Sequence, residues 1–87
     1  MLAPSQTLLQ TASGCSAIIA RVVAPAHAPD WAQRLAELGF IPGERVMITA
    51  RGLPGGDPLA VRVGGSTFAL RRAEAECVHL VVDLQPT

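Results

Sequence analysis

Residues 34–58 read RLAELGFIPGERVMITARGLPGGDP, and their order decides the fold. A short helix runs into Gly-Phe-Ile-Pro-Gly, a strand follows, and a second turn rich in glycine and proline closes the run. Glycine supplies the conformations that tight turns demand, and proline stiffens what lies between. The run holds no Gly-rich phosphate loop, no Ser/His/Asp set and no Cys-x-x-Cys pair. A small chain whose distinctive residues sit in turns reads as a binding module rather than an enzyme.

Upstream, Asp30 is expected to open the helix. Its carboxylate suits the first-turn amides, and Gln33 completes a capping-box pattern. Trp31, Leu35 and Leu38 fall on one face. Gly39 suits the left-handed closing position and Pro42 forbids continuation, so the helix spans about 30–38. Phe40 or Ile41 folds back on the last turn. Residues 15–23 are short and β-branched, which predicts a strand. Residues 24–29 carry two prolines and cannot be helix interior. Residues 7–10 bring Leu8 and Leu9 into the fold as a short turn, and 1–6 form a loose tail.

Downstream of Arg45 the period switches to two. Val46, Ile48 and Ala50 share one face; Met47, Thr49 and Arg51 share the other. Leu59, Val61 and Val63 alternate with Ala60 and Arg62, and Gly64-Gly65 signals a two-residue hairpin. Ser66, Phe68 and Leu70 alternate with Thr67 and Ala69. Residues 71–76 suit a short helical turn. Val78, Leu80, Val82 and Leu84 then alternate with Cys77, His79, Val81 and Asp83. The fold class is all-β: about five short strands, one inserted helix and one helical turn. A small, partly closed barrel removes most open edges. Val46, Ile48, Val61, Phe68, Leu70, Val78 and Leu80 form the expected core, with Leu35 and Leu38 packed on it. Residues 7–84 make one domain and 85–87 a tail.

The 87 residues allow one modest core, and 49% are hydrophobic. All seven basic residues are arginine and balance seven acids, so the net charge gives no electrostatic footprint for nucleic acid or anionic lipid. Cys15 and Cys77 make no disulfide framework and read as reduced, buried thiols. The start, MLAPSQTLLQ, lacks the charged and apolar regions of a signal peptide. No apolar stretch approaches the ~20 residues that cross a bilayer. These features predict a soluble, cytoplasmic protein without direct membrane insertion.

Each candidate site has a plain structural counterpart. Cys77 and His79 project from one strand face and could share a metal, with Asp83 further along, but a structural site needs about four ligands. An incidental histidine on a half-buried strand face is the plainer reading. His27 and Asp30 form a second weak pair. Asp57 suits a turn whose amides it accepts. Arg71 and Arg72 read as a solvated pair near Glu74 and Glu76. Met47, Thr49 and Arg51, with Leu53 and Pro54 in the following turn, suit a partner surface. No cofactor is required, and any iron or zinc ion should be weakly held.

Four turn and helix signals occur in a telling order. They are Arg34-Leu35-x-x-Leu38-Gly39, Pro42-Gly43, Gly56-Asp57-Pro58, and Leu70-Arg71-x-x-Glu74-Ala75. With this order and spacing the chain resembles FeoA, the small cytosolic protein of bacterial ferrous iron transport, over roughly residues 8–82. The resemblance implies an SH3-like barrel and a partner, the membrane ferrous-iron transporter FeoB with its cytosolic G domain, which such a protein would bind and regulate. It implies no catalytic residue. Gly39, Pro42, Gly43 and Pro58 match as turn residues, and Leu35 and Leu38 as core. The alternative reading is an iron sensor or carrier, which would want several ligands gathered together. Related domains end some iron-dependent repressors, whose DNA-binding region this chain has no room for.

Overall fold

The computed structural model describes residues 6–52, 55 and 57–81. Six strands form one antiparallel sheet in the order β1-β6-β2-β3-β4-β5. They are β1 Gln6–Thr7, β2 Ser16–Val22, β3 Arg45–Arg51, β4 Leu59–Val63, β5 Ser66–Leu70 and β6 Val78–Leu80. A 3-10 turn, Leu8–Gln10, follows β1; helix α1, Trp31–Leu38, joins β2 to β3; helix α2, Arg72–Ala75, joins β5 to β6. Strand β1 was not expected, and it takes Gln6 out of the predicted tail to pair with Leu80.

One core joins the two halves of the sheet. Ile19 from β2, Ile48 from β3, Val61 from β4, Leu70 from β5 and Val78 from β6 meet Leu8, Leu35 and Phe40 there. Burying each large side chain contributes about 1.5–3 kcal/mol. The expected residues Val46, Ile48, Val61, Leu70, Val78, Leu80 and Leu35 are buried. Phe68 is only half-buried, its ring tilted against Phe40 at a centroid distance of 6.1 Å.

Leu38 is a correction: it is 40% exposed, whereas Leu35 is 2% exposed. At ~100° per residue Leu38 lies about 60° round the helix from buried Leu35, which leaves it on the flank of the inward stripe. Phe40, fully buried, takes the place expected of Leu38. It gets there because Gly39 turns left-handed at φ 116°, ψ 2°. The Gly39 amide then donates to the Ala36 carbonyl at 3.0 Å and the Phe40 amide to that of Leu35 at 2.9 Å, a Schellman ending.

The N-terminal cap is a second correction. Asp30 is itself helical in conformation, at φ −72° and ψ −13°, and makes no side-chain cap bond. A cap residue must be extended for its carboxylate to reach the first amides. Here the preceding turn ties the helix start instead, with the Trp31 amide on the Ala28 carbonyl at 3.1 Å.

The Pro42-Gly43 turn forms as expected. Gly43 has φ 92°, the third position of a type II turn, and Glu44 donates to the Ile41 carbonyl at 3.1 Å. The β3–β4 register shifts between Ile48 and Ala50. Such a bulge re-aims the strand, which is why Ala50 is exposed although it shares the parity of buried Ile48. Cys15 is exposed rather than buried, while Cys77 is buried; both are free. Gly56 and the strand continuation through Val82, Asp83 and Leu84 lie outside the described residues.

Candidate functional site

The proposed partner residues divide sharply. Arg51 is not a free anchor. Its guanidinium donates to the Thr11 carbonyl, and to the Leu9 carbonyl at 3.3 Å. It therefore pins the 3-10 turn to the end of β3, and a charge expected on a partner surface serves the fold instead. Leu53 and Pro54 lie outside the described residues. Met47 is half-buried and Thr49 exposed, its hydroxyl donating to the Ala60 carbonyl at 3.2 Å.

Met47 and Thr49 belong to a larger face. Met47 pairs with Arg62, and Arg62 with Thr67; Ala50 pairs with Ala60, and Ala60 with Ala69. These rows run across the outer side of β3–β5, opposite the core. A shallow depression of about 270 Å³ opens beside Arg45, Met47, Arg62 and Gly64. Another, of about 380 Å³, lies between α1 and the end of β5, lined by Trp31, Arg34, Leu38, Pro58, Ala69 and Arg71 among others.

Glu74 is the residue that sequence reasoning undervalued. Its neighbours Arg71 and Arg72 suggest a solvated group, yet Glu74 is 9% exposed. One carboxylate oxygen accepts the Arg71 amide at 2.8 Å, satisfying the start of α2, and the other lies 3.5 Å from the Arg34 guanidinium. The signal was present in Leu70-Arg71-x-x-Glu74-Ala75: a glutamate three residues beyond a helix start reaches back to its amide. Asp57 works beside it, accepting the Arg72 amide at 3.2 Å, and Arg72 donates to the Gly55 carbonyl at 2.9 Å. Asp57 thus acts as a turn residue, though on α2 rather than its own loop.

The metal candidates are dispersed in role. The Cys77 thiol donates to the Ala73 carbonyl at 3.4 Å and turns into α2. Burial, with Glu74 and Glu76 nearby, pushes that thiol above its ordinary range, which disfavours the thiolate that metals need. His79 has its Nδ1 buried without a hydrogen-bond partner. Burial, then the neighbouring Arg21 charge, lowers its pKa and favours neutral imidazole. His27 stacks edge-on against Trp31, 6.0 Å between ring centroids, and Asp30 is exposed at the helix start. Among the described residues no three of His, Cys, Asp and Glu gather as a metal group. No helix there is long and apolar enough to cross a membrane.

The FeoA domain model matches residues 6–82. A zinc-complexed FeoA from Stenotrophomonas maltophilia, described as a prokaryotic SH3 domain protein, is 41% identical; the match covers 87% of this chain and 89% of that one, with a TM-score of 0.79. Iron(II) transport protein A from Clostridium thermocellum is 28% identical over 88% of this chain and 45% of that one, at a TM-score of 0.73. A manganese-dependent transcriptional repressor shares the fold alone, at 22% identity, covering 90% of this chain and 41% of that one, with a TM-score of 0.73. Comparison with curated proteins gives no significant match. The domain match across nearly the whole described barrel, with its strand order and its Gly39 and Pro42-Gly43 turns, shows that this chain belongs to the FeoA family, small SH3-like proteins associated with ferrous iron transport.

Proposed function

We propose that this protein is a non-enzymatic, cytoplasmic accessory of ferrous iron uptake that binds and regulates the membrane transporter FeoB and is drawn to the inner membrane by that partner. The observation that carries the reading is the family match over residues 6–82. The site geometry supports a docking role. Polar groups at the turns are used to hold the barrel, whereas the outer face of β3–β5 offers Met47, Thr49, Arg62, Thr67 and small alanines to solvent. Loops and faces on a rigid scaffold are where small domains carry binding. Metal binding is secondary here: zinc or iron is expected to be weakly held, through His79 or His27 with Asp30 and groups of a neighbouring molecule. The zinc complex of the Stenotrophomonas relative motivates that expectation.

Calorimetric titration of the chain with the cytosolic G domain and with full-length FeoB in detergent tests the reading. Saturable binding to either supports it. No heat or co-elution with the full-length transporter, in any nucleotide state, would contradict it.

A further inference from the structure

The two edges of the sheet are unlike. Strand β1 has two residues; β5 has five, Ser-Thr-Phe-Ala-Leu, with no charge and no proline. An edge strand displays unpaired N–H and C=O groups, and a long uncharged one is open to another strand. The geometry says which groups are free. With a two-residue loop at Gly64-Gly65, the closing pair Val63 and Ser66 is hydrogen-bonded, and bonding then alternates through Val61/Phe68 and Leu59/Leu70. Thr67 and Ala69 therefore turn their backbone groups away from β4. No hydrogen bond to another element reaches them among the described residues.

The surroundings of that edge are basic. Arg62 lies across from Thr67, and Arg34 and Arg71 line the groove that shares Ala69 with the edge. The nearby acids are already engaged: Glu74 accepts the Arg71 amide and contacts Arg34, and Asp57 accepts the Arg72 amide. Among the described residues the side chains of Arg62 and Arg71 form no ion pair. The groove adds apolar surface from exposed Leu38, half-buried Trp31 and Pro58.

We propose that the β5 edge binds an extended acidic segment of a protein partner by strand addition. Its backbone pairs with Thr67 and Ala69, its carboxylates meet Arg62 and Arg71, and one apolar side chain enters the groove between Trp31 and Leu38. Backbone bonds supply affinity in this mode and side-chain pockets supply selectivity. A second copy of the chain is the poorer occupant, because it brings its own arginines to the seam. The inference goes beyond the transporter reading, since it fixes the chemistry of the segment whatever protein carries it.

The test uses the full chain and two fluorescein-labelled peptides, one alternating valine with glutamate and one alternating valine with lysine. The glutamate peptide should bind and slow amide exchange at Thr67 and Ala69. The lysine peptide should bind about ten-fold or more weakly. Thr67→Pro removes an outward donor while sparing the β4 ladder, and should abolish binding. Arg62→Gln with Arg71→Gln keeps both backbones and should weaken it about ten-fold. Equal binding of the two peptides, protection confined to other strands, or affinity unchanged in the double glutamine variant would overturn the proposal. So would concentration-dependent protection of the same amides without peptide, which would assign the edge to a second copy. The probes are synthetic, so failure here leaves docking on the transporter to its own titration.

Discussion

The two sides of this sheet solve the problem of an open edge differently. On the β1–β6–β2 side the edge is closed by short length and by an internal charge. Arg51 reaches from β3 to the carbonyls of Leu9 and Thr11 and holds the chain next to β1. On the β3–β4–β5 side the inward residues are as well buried, with Val61 and Ile48 fully so. The outward ones, Thr67 and Ala69, are left to solvent. Burial therefore does not distinguish the sides, and neither does unpaired charge, since Arg21 on β2 and Arg62 on β4 both lack an ion pair among the described residues. What differs is the edge: two residues tied down by Arg51 on one side, five with the backbone groups of Thr67 and Ala69 turned outward on the other.

The largest expected effect tests whether the sides share one core. Phe40→Ala should cost ~3–5 kcal/mol, and both sides should unfold in a single transition. Leu38→Ala, at an exposed position, should stay within about 1 kcal/mol. Denaturant titration checks both, and two separate transitions would show that the sides are independent. Gly39→Ala comes next, at ~1–2 kcal/mol, because its left-handed backbone penalises a β-carbon. Its new methyl would meet Val63 only at ordinary contact, 3.7 Å, so strain rather than crowding sets the cost. A neutral effect would mean that the helix ends differently.

Arg51→Ala sharpens the contrast between edges. It should cost ~1–2 kcal/mol and speed amide exchange around Leu8 and Thr11, while Arg62→Ala stays within about 0.5 kcal/mol. Equal costs would erase the distinction. The smallest effect is pH-dependent. Burial and Arg21 lower the His79 pKa below its ordinary 6.5, so the unfolded chain binds the proton more readily. Stability from this group is full above about 6.5 and is lost as pH falls through that value towards the lower native one. His79→Gln should flatten the slope of melting temperature against pH in that window. An unchanged slope would assign it to another group.

Much of this was legible in the sequence where one residue type has one physical use. Gly39, Gly43 and Gly64 mark turns because their left-handed backbone is one that few other residues tolerate, and the strands between them follow from period-two burial. What was illegible depended on tertiary placement. A two-residue strand such as β1 has no period to read. Leu38 falls on the flank of α1 while Phe40 fills the core beside Leu35, a division that only the packing reveals. Asp30 carries a capping residue's side chain, but its backbone conformation is set by the preceding turn. Arg51 looked like a surface charge because its partners are carbonyls some forty positions upstream. Glu74 had a readable capping pattern; its burial against α1 did not follow from spacing.

If the proposed docking runs through the β5 side of the sheet, FeoB should shield that side. In hydrogen exchange on the full chain, adding FeoB should slow exchange at Thr67 and Ala69 and on the outer face around Met47, and leave the β1–β6 edge unchanged. Protection centred on Gln6, Thr7 and His79, with Thr67 and Ala69 exchanging as in the free protein, would contradict it.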